Sequence, residues 1–315
     1  MKKLALWGLW HVHAGHLAEL AQKYASLIGV WDEDTKALNE FCKKYNLYAF
    51  SSLEEMLSSD AEGVIVCTPT SKHKETILTL TKAGKHVFTE KVLALTDEDC
   101  DEIVKAVKES GIKFAICLPN AFYDGARTIK AIVDLGEIGK VNCIRFKYSH
   151  TATSNDTLPA HFYCKKECGG GSLIDHGAHG IHMIYFFKGM PAQFKHIGTI
   201  ANSNENAEKK NIDRVEDSSV SVMAYPDGCI AINESSSVTQ GPMTLEVNGE
   251  KGSLLWTCDR VIKRSPETND EYTEIEKLPG MFHPLKQFVY EEIDPVCGID
   301  AARDVSYMIN RLYEN

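Results

Sequence analysis

The chain opens its first apolar run with LALWG at residues 4–8, and a second run, LIGVW at residues 27–31, ends at Asp32. Between the two runs, residues 13–25 place apolar side chains at helical spacing. Short, continuously apolar strands that alternate with helices are typical of a parallel sheet covered on both faces. This stretch therefore predicts a strand–helix–strand unit at the start of an α/β domain.

The same alternation continues to about residue 118. Further apolar runs predict strands, and helical patterns lie between them; the strands are at 63–67, 86–89 and 114–117, and the helices at 35–45, 72–83 and 97–109. We therefore expect residues 1–119 to form one α/β domain with a parallel sheet.

The pattern changes near residue 140, where apolar and polar residues begin to alternate. Alternation of this kind predicts strands of an antiparallel sheet, and the candidates lie at 142–148, 219–225, 229–233, 243–248 and 253–257. A helical stretch covers 174–187, a polar surface loop is expected at 201–216, and a last helix spans 299–312. Residues 120–315 are thus predicted to form a second, α+β domain.

Composition narrows the classes of partner and the compartment. The formal net charge of −10 argues against nucleic acid or an anionic membrane as the main partner. No apolar run approaches the roughly 20 residues of a membrane span. The ten cysteines are widely spread, and no pair of CxxC type completes a zinc site. Reduced thiols in the cytoplasm are the better interpretation.

Three features of the first domain indicate a dinucleotide site. Gly8 ends the first strand before a helix, as a phosphate-binding turn requires. Asp32 ends the second strand, close to the roughly 20-residue spacing of an acid that binds the adenosine ribose. Thr68 and Pro69 follow a buried strand. However, Trp10 and His13 replace two glycines of the fingerprint, so a plain strand-to-helix turn is an alternative.

The acids after the second strand indicate a cofactor preference. Asp32, Glu33 and Asp34 follow one another with no arginine adjacent, and they would repel the additional phosphate of NADP. We therefore expect NAD, with NADP less favoured. Alternatively, only Asp32 points inward, and the other two acids are solvated at a helix start.

Two segments carry groups suited to proton transfer. Glu90 and Lys91 follow the strand at 86–89, at the edge of the sheet where ligands bind, although a surface ion pair is an alternative. In a regular helix, Asp175 and His179 would be neighbours on the face that also carries His182. An acid beside a histidine fixes the tautomer of the ring and makes it a better base.

Together these segments resemble the glucose-fructose oxidoreductase / inositol dehydrogenase (Gfo/Idh/MocA) family. The resemblance spans nearly the whole chain and rests on these segments, in order: Gly8 to His16, Asp32, Thr68-Pro69, residues 90–96, residues 136–141 and residues 169–179. It implies an N-terminal Rossmann domain and a C-terminal open-faced, mainly antiparallel sheet that mediates oligomer contacts. It also implies NAD(P)-dependent hydride transfer to or from a sugar- or polyol-like hydroxyl or ketone.

The resemblance also implies residue roles. The family motif E-K-P matches Glu90 and Lys91, with Val92 in place of proline, and the motif D-x-G-x-H matches Asp175, Gly177 and His179. Lys91 would contact the reacting hydroxyl, His179 would be the acid/base, and Asp175 would bind and orient the substrate. The expected cofactor-binding residues are Gly8, Trp10, His11, Val12, Asp32, Thr68, Pro69, His73, Glu90 and Lys91. Candidate substrate-binding residues from position are Asn120, Tyr148, His150, His161 and His182.

Several alternatives remain open at this point. The histidines at 11, 13 and 16, and at 176, 179 and 182, have spacings that zinc can use, but we expect no metal because the cofactor supplies the redox chemistry. The second possibility is a glycosidase or eliminase that retains NAD and oxidises its sugar substrate only transiently. A non-catalytic dinucleotide-binding regulator is the third possibility. A homodimer or homotetramer is expected.

Overall fold

The computed structural model describes residues 2–202, 204–257 and 259–315, which form two compact units. The first unit contains the described residues up to Leu118 together with Phe282–Ser306, and the second contains Pro119–Met281 with Tyr307–Asn315. The predicted division after residue 119 lies one residue from the observed border. The assignment of all of 120–315 to one domain differs from the structure, because residues 282–306 belong to the first unit.

The first unit is built on a five-stranded parallel sheet with the strand order β2-β1-β3-β4-β5. Its elements up to Leu118 are β1 (Lys3–Trp7), α1 (Ala14–Tyr24), β2 (Ser26–Trp31), α2 (Thr35–Tyr45), α3 (Leu53–Ser58), β3 (Gly63–Val66), α4 (His73–Lys82), β4 (His86–Thr89), α5 (Asp97–Ser110) and β5 (Phe114–Ile116). All residues of β3 and β5 are buried, as expected for strands covered on both faces. The predicted parallel α/β sheet is confirmed.

The second unit is built on an eight-stranded sheet. Its elements are α6 (Asp124–Asp134), β6 (Val141–Ser149), α7 (Lys165–Cys168), a π-helical turn (Leu173–Gly177), α8 (Ala178–Lys188), β7 (Gln193–Thr199), α9 (Glu205–Lys210), β8 (Ser218–Ala224), β9 (Ile230–Ser236), β10 (Thr244–Gly249), β11 (Ser253–Thr257), β12 (Arg260–Arg264) and β13 (Thr273–Ile275). The strand order is β13-β12-β11-β10-β6-β9-β8-β7.

Only β6 and β9 pair in parallel, so the sheet is mainly antiparallel. Buried residues alternate with more exposed ones along β8, β10 and β11, which is the burial pattern of a sheet packed on one face. The predicted open-faced sheet is therefore confirmed. The segment 201–216, expected to be a polar loop, contains α9, whose Ala207 is fully buried.

Two further helices, α10 (Pro284–Tyr290) and α11 (Ile299–Glu314), complete the chain. Phe288 on α10 is fully buried and stacks near Phe88 of β4, with 5.7 Å between the ring centroids. In α11, the Ser306 hydroxyl accepts the amide of Leu93 at 3.0 Å. These contacts explain why residues 282–306 belong to the first unit. Among the described residues, no helix combines the length and apolar character needed to cross a membrane.

Candidate active site

The turn between β1 and α1 depends on Gly8. Its φ is +92°, a region that residues with side chains disfavour, and a Cβ there would lie 2.7 Å from the amide nitrogen of Thr68. Trp10 and His13, which replace the later glycines of the fingerprint, do not have a positive φ. The turn therefore forms without glycine at those two positions.

Asp32, at the end of β2, is tied to this turn. Its Oδ2 accepts the amide of Leu9 at 2.7 Å, and its Oδ1 accepts the amide of Asp34 at 2.7 Å. Asp34 instead caps α2, because its Oδ1 accepts the amides of Lys36 and Ala37 at 3.0 Å each. Of the two aspartates, Asp32 is thus the one held beside the glycine turn.

The start of α1 suits an anion. No acidic residue lies in its first turn, and the side chain of the N-cap residue His13 makes no capping hydrogen bond. Helix N-termini carry partial positive charge and favour anions such as a pyrophosphate. Among the predicted cofactor residues here, Val12 is 50% exposed and Trp10 is partly exposed, whereas His11 is buried. The turn, the helix start and the Asp32 carboxylate together fit a dinucleotide.

The segment after β3 contains a buried hydroxyl group and a histidine that holds the segment after Lys91. The Thr68 hydroxyl is buried and has no hydrogen-bond partner among the described residues, so a bound group can provide one. Pro69 is partly exposed. His73 is fully buried, and its Nδ1 lies 2.8 Å from the carbonyl oxygen of Val92. Burial lowers the pKa of His73, so its neutral ring donates this bond and supports the segment after Lys91, with no surface of its own exposed to a cofactor.

Glu90 forms a buried cluster with two histidines of the β1–α1 turn. Its Oε1 lies 3.1 Å from His13 Nδ1, and its Oε2 lies 3.6 Å from His11 Nε2. Burial alone would raise the pKa of Glu90, but the nearby charges of His11, His13 and Lys91 outweigh it and hold this pKa well below its usual range. Glu90 thus remains a carboxylate that fixes the turn.

Lys91 is also buried, with 5% of its surface exposed, and its peptide bond to Val92 is cis. Its amide donates to Glu90 Oε2 at 3.3 Å. Glu90 and Lys91 are both buried, directly after β4. The alternative of a surface ion pair is therefore wrong.

In the second unit, histidines gather around Tyr148 near the end of β6. The Tyr148 ring centroid lies 6.3 Å from that of His150 and 5.8 Å from those of His176 and His179, each ring in an edge-on arrangement. Nε2 of His150 and Nε2 of His176 are in contact. This cluster combines the end of a strand, the π-helical turn and the start of α8.

Asp175 lies close to His176, the histidine that follows it in the sequence. Its Oδ2 lies 3.6 Å from His176 Nε2, and a quarter of its side chain is exposed. The expectation of Asp175 and His179 one regular turn apart assumed an α-helix, whereas residues 173–177 form a π-helical turn and α8 begins only at Ala178. A π-turn changes which side chains share a face, and such turns often mark functional sites.

The other candidate substrate residues differ in accessibility. His182 is fully buried, and Asn120 is 5% exposed with its Nδ2 donating to Met243 Sδ at 3.5 Å. His161 is partly exposed on the 3₁₀ turn Ala160–Tyr163. His150 is also partly exposed. His150 and His161 are therefore accessible at the surface of this unit, whereas His182 and Asn120 are buried.

Within the described part of the chain, two sets of side chains have atoms close enough to share a metal ion: His11, His13 and Glu90, and His150, Asp175 and His176. In the first set, His11 Nδ1 accepts the amide of His13 at 3.2 Å; in the second, His150 Nδ1 accepts the amide of Ala152 at 3.1 Å. Nδ1 of His11 and Nδ1 of His150 are thus occupied by hydrogen bonds within the chain, and ligation of an ion by either ring would have to use Nε2.

Comparison with known families gives the same division. Residues 7–117 match the model of an oxidoreductase family with an NAD-binding Rossmann fold, and residues 126–255 match the C-terminal domain model of that family. The chain belongs to the Gfo/Idh/MocA family. The Rossmann domain of this family thus contains the Gly8 turn, Asp32 and Lys91, while its C-terminal domain contains the histidine cluster.

Three individual proteins that resemble this chain share 30% or less of their residues with it over the aligned regions. An uncharacterized oxidoreductase of Streptococcus pneumoniae is 30% identical over 71% of this chain and 64% of its own length. The scyllo-inositol 2-dehydrogenase (NADP(+)) IolU of Bacillus subtilis is 26% identical over 84% of this chain and 79% of its own. A solved levoglucosan dehydrogenase in complex with NADH has the same fold, with a TM-score of 0.85, 18% identity and coverage of 99% of this chain and 96% of that one.

Sequence reasoning missed several members of these clusters. His13 was treated as a missing glycine, and its contact with Glu90 was not foreseen. His176 was considered only as a possible zinc ligand, and its contacts with Asp175 and His150 were not foreseen. Glu216, described below, gave no signal, because its partners lie about 45 residues away in the sequence.

Proposed function

We propose that this chain is an NAD-dependent dehydrogenase or reductase that transfers hydride between a nicotinamide and a hydroxyl or ketone of a sugar- or polyol-like small molecule. The observation that carries the proposal is the set of groups at the carboxyl ends of β1 to β4: the Gly8 turn, the Asp32 carboxylate, the Thr68 hydroxyl and Lys91. The names of the inositol and levoglucosan dehydrogenases support the substrate class.

When bound, the nicotinamide supplies the hydride acceptor or donor. The chain supplies the proton chemistry. His179 accepts the hydroxyl proton in oxidation and returns it in reduction, and Lys91 donates a hydrogen bond to the reacting oxygen. Asp175 accepts a hydrogen bond from the substrate and orients it. These roles rest on the match of Lys91, Asp175 and His179 to the family motifs.

The preference for NAD is part of the proposal. Glu33 forms an ion pair with Lys72, with Nζ and Oε2 3.0 Å apart, and Asp34 caps α2. Asp32 is therefore the acid suited to the ribose hydroxyls, and its charge disfavours a phosphate at the same place. The relative named for NADP(+) shows that the family is not uniform in this respect.

We also propose that the protein acts in the cytoplasm as a homodimer or homotetramer that assembles through its C-terminal sheet. Exposed apolar side chains on β7, β8 and β9 support this arrangement, namely Ile197, Val220, Val222 and Ile230. Light scattering coupled to size exclusion measures the oligomeric state directly. A monomer at micromolar concentration would contradict the assembly proposal only.

Calorimetry with NAD⁺ and NADP⁺, followed by an assay of NADH absorbance, tests the main proposal. We expect tighter binding of NAD⁺ and substrate-dependent formation of NADH with at least one member of a panel of inositols, anhydrosugars and hexoses. Purified protein that retains NAD and converts a sugar without net NADH would favour the glycosidase or eliminase alternative. Binding of NAD⁺ with no conversion of any compound would favour the regulator.

A further inference from the structure

The loop of three glycines, Gly169 to Gly171, lies directly before the π-helical turn, and Glu216 lies against it. Oε2 of Glu216 accepts the amide of Gly171 at 3.2 Å, and Oε1 accepts the amide of Leu173 at 3.1 Å. The backbone carbonyl of Glu216 accepts the amide of Ser172 at 2.8 Å. Glu216 therefore binds three successive amides at the start of a helical segment. The first amides of a helix have no hydrogen-bond partner within the helix itself.

The glycines allow this close approach. A Cβ at Gly171 would lie 1.8 Å from the carbonyl oxygen of Glu216, and a Cβ at Gly170 would lie 2.1 Å from the hydroxyl of Tyr313. Any side chain at either position would push Glu216 or Tyr313 away from the loop. The glycines thus serve the contact with these two residues.

Tyr313 completes the arrangement. Its hydroxyl donates to Glu216 Oε1 at 2.7 Å. Burial, together with the Glu216 carboxylate, raises the pKa of Tyr313 well above its usual value, so the hydroxyl keeps its proton and remains a donor. Glu216 Oε1 therefore accepts from both Tyr313 and Leu173, and Oε2 accepts from Gly171.

The bound loop is linked directly to Asp175, whose amide donates to the carbonyl of Gly171 at 3.0 Å. On the other side of the turn, Ser235 Oγ donates to the carbonyl of Ser172 at 3.0 Å, and Asn233 Nδ2 donates to that of Gly177 at 3.2 Å. Glu216 thus binds the amides at the start of the turn, and β9 binds one carbonyl at its start and one at its end.

We propose that Glu216, held by Tyr313, is a positioning residue that fixes the π-helical turn and thereby places Asp175 and His179 for catalysis. Glu216 acts through Gly171 and Leu173 and touches neither of the two reacting side chains in the contacts described above. The inference rests on the proposed function for its kinetic consequence, but the placement itself can be measured without any substrate.

The kinetic test compares Glu216→Ala, Glu216→Gln and Tyr313→Phe with a control, Glu137→Gln, which removes a carboxylate paired with the buried Lys263 elsewhere in the same unit. We expect kcat of Glu216→Ala to fall by about tenfold to a hundredfold, as for small misplacements of catalytic groups, with KM little changed. Glu216→Gln keeps one accepting oxygen and should recover part of the loss. Glu137→Gln should keep wild-type kcat. All assays are run well below the melting temperature of each variant.

The second measurement is the ¹H–¹⁵N spectrum of the histidine side chains, which needs no turnover. The signals of His176 and His179, assigned with the alanine variants, should shift in Glu216→Gln and in Tyr313→Phe, and should not shift in Glu137→Gln. Unchanged histidine signals in both variants, or a wild-type kcat in Glu216→Ala despite a lower melting temperature, would overturn the proposal. If Glu216→Ala fails to fold, Tyr313→Phe, which removes one hydroxyl, provides the same comparison. Wild-type protein without dehydrogenase activity would instead refute the proposed function and leave the spectral test intact.

Discussion

The two units each contain a helical segment that starts after a glycine turn, and the two starts are used differently. At the start of α1, after Gly8, there is no acidic residue in the first turn. At the start of the π-helical turn, after Gly171, the carboxylate of Glu216 binds the amides of Gly171 and Leu173. Both starts offer partial positive charge to an anion. In the second unit the chain itself supplies that anion.

We therefore expect the two helix starts to have different roles: cofactor binding in the first unit and positioning of catalytic side chains in the second. A helix start without an acid of its own can receive the charge of a ligand, so changes near Gly8 should alter the affinity for the cofactor. A helix start that already holds a carboxylate cannot serve a second anion, so changes near Gly171 should alter turnover. The predictions below test this division.

The largest expected effect comes from removal of the proton-transfer groups. His179→Ala and Lys91→Ala should each lower kcat by more than about a hundredfold, because a positioned acid/base contributes about that factor. The dissociation constant for NAD⁺ should change little in His179→Ala. Steady-state kinetics and calorimetry on the same preparations measure both quantities.

His86→Ala is a suitable control, since His86 is a partly buried histidine at the start of β4 whose Nδ1 accepts the amide of Lys113 at 2.9 Å. It should keep wild-type kcat. Turnover at the wild-type rate in His179→Ala would remove the assigned acid/base, and a large loss of NAD⁺ affinity in that variant would break the division between the two helix starts.

Most elements of the first unit up to residue 118 could be predicted from the sequence, because their information is local, although α3 was not predicted. Its strands are continuous apolar runs, and α2 was predicted at its observed bounds because the Asp34 cap and the spacing of Leu38 and Cys42 agree. The cofactor role of Asp32 and the substrate contact of Lys91, which came from spacing and from the family motif, stay predictions. In contrast, the clustering of His11, His13 and Glu90 depends on which strand ends become neighbours, and no local pattern contains that.

The second unit was predicted less completely for physical reasons. β7 lies at the edge of the sheet and none of its residues is fully buried, and β12 begins and ends with arginine. The π-helical turn has the composition of an ordinary helix, so the sequence predicted a regular helix there, and the contact of Asp175 with His176 was not foreseen. The packing of residues 282–306 with the first unit arises from tertiary contacts such as that of Phe288 with Phe88.

The next effect concerns affinity for the cofactor. Asp32→Ala should raise the dissociation constant for NAD⁺ by about tenfold to a hundredfold, because hydrogen bonds to a charged group contribute about 1.5–3 kcal/mol. It should also reduce the difference in affinity between NAD⁺ and NADP⁺. Calorimetry with both dinucleotides measures this directly.

Asp34→Ala is the matched control for that measurement, since it removes only the cap of α2. It should lower the free energy of unfolding by about 1 kcal/mol and leave NAD⁺ affinity unchanged. Equal losses of affinity in both variants would show that the loop after β2 acts through its shape and not through the Asp32 carboxylate.

The smallest effect is on stability at the first turn. Glu90→Gln should lower the free energy of unfolding at neutral pH by about 1–2 kcal/mol, because it leaves His11 and His13 without a buried anion. Because the folded-state pKa of Glu90 is depressed, the stabilisation by this carboxylate is complete above the unfolded pKa, about 4.3, and is lost as the pH falls towards the folded value. Glu90→Gln should therefore show a shallower loss of stability below that pH than the wild type.

Denaturant titrations between neutral and acidic pH test this, with Glu33→Gln as the control. Glu33 pairs with Lys72 at the surface, and its loss should lower the free energy of unfolding by less than about 1 kcal/mol. Parallel acid curves for wild type and Glu90→Gln would mean that this carboxylate is not held by the histidines. The β1–α1 turn would then depend on Gly8 and Asp32 alone.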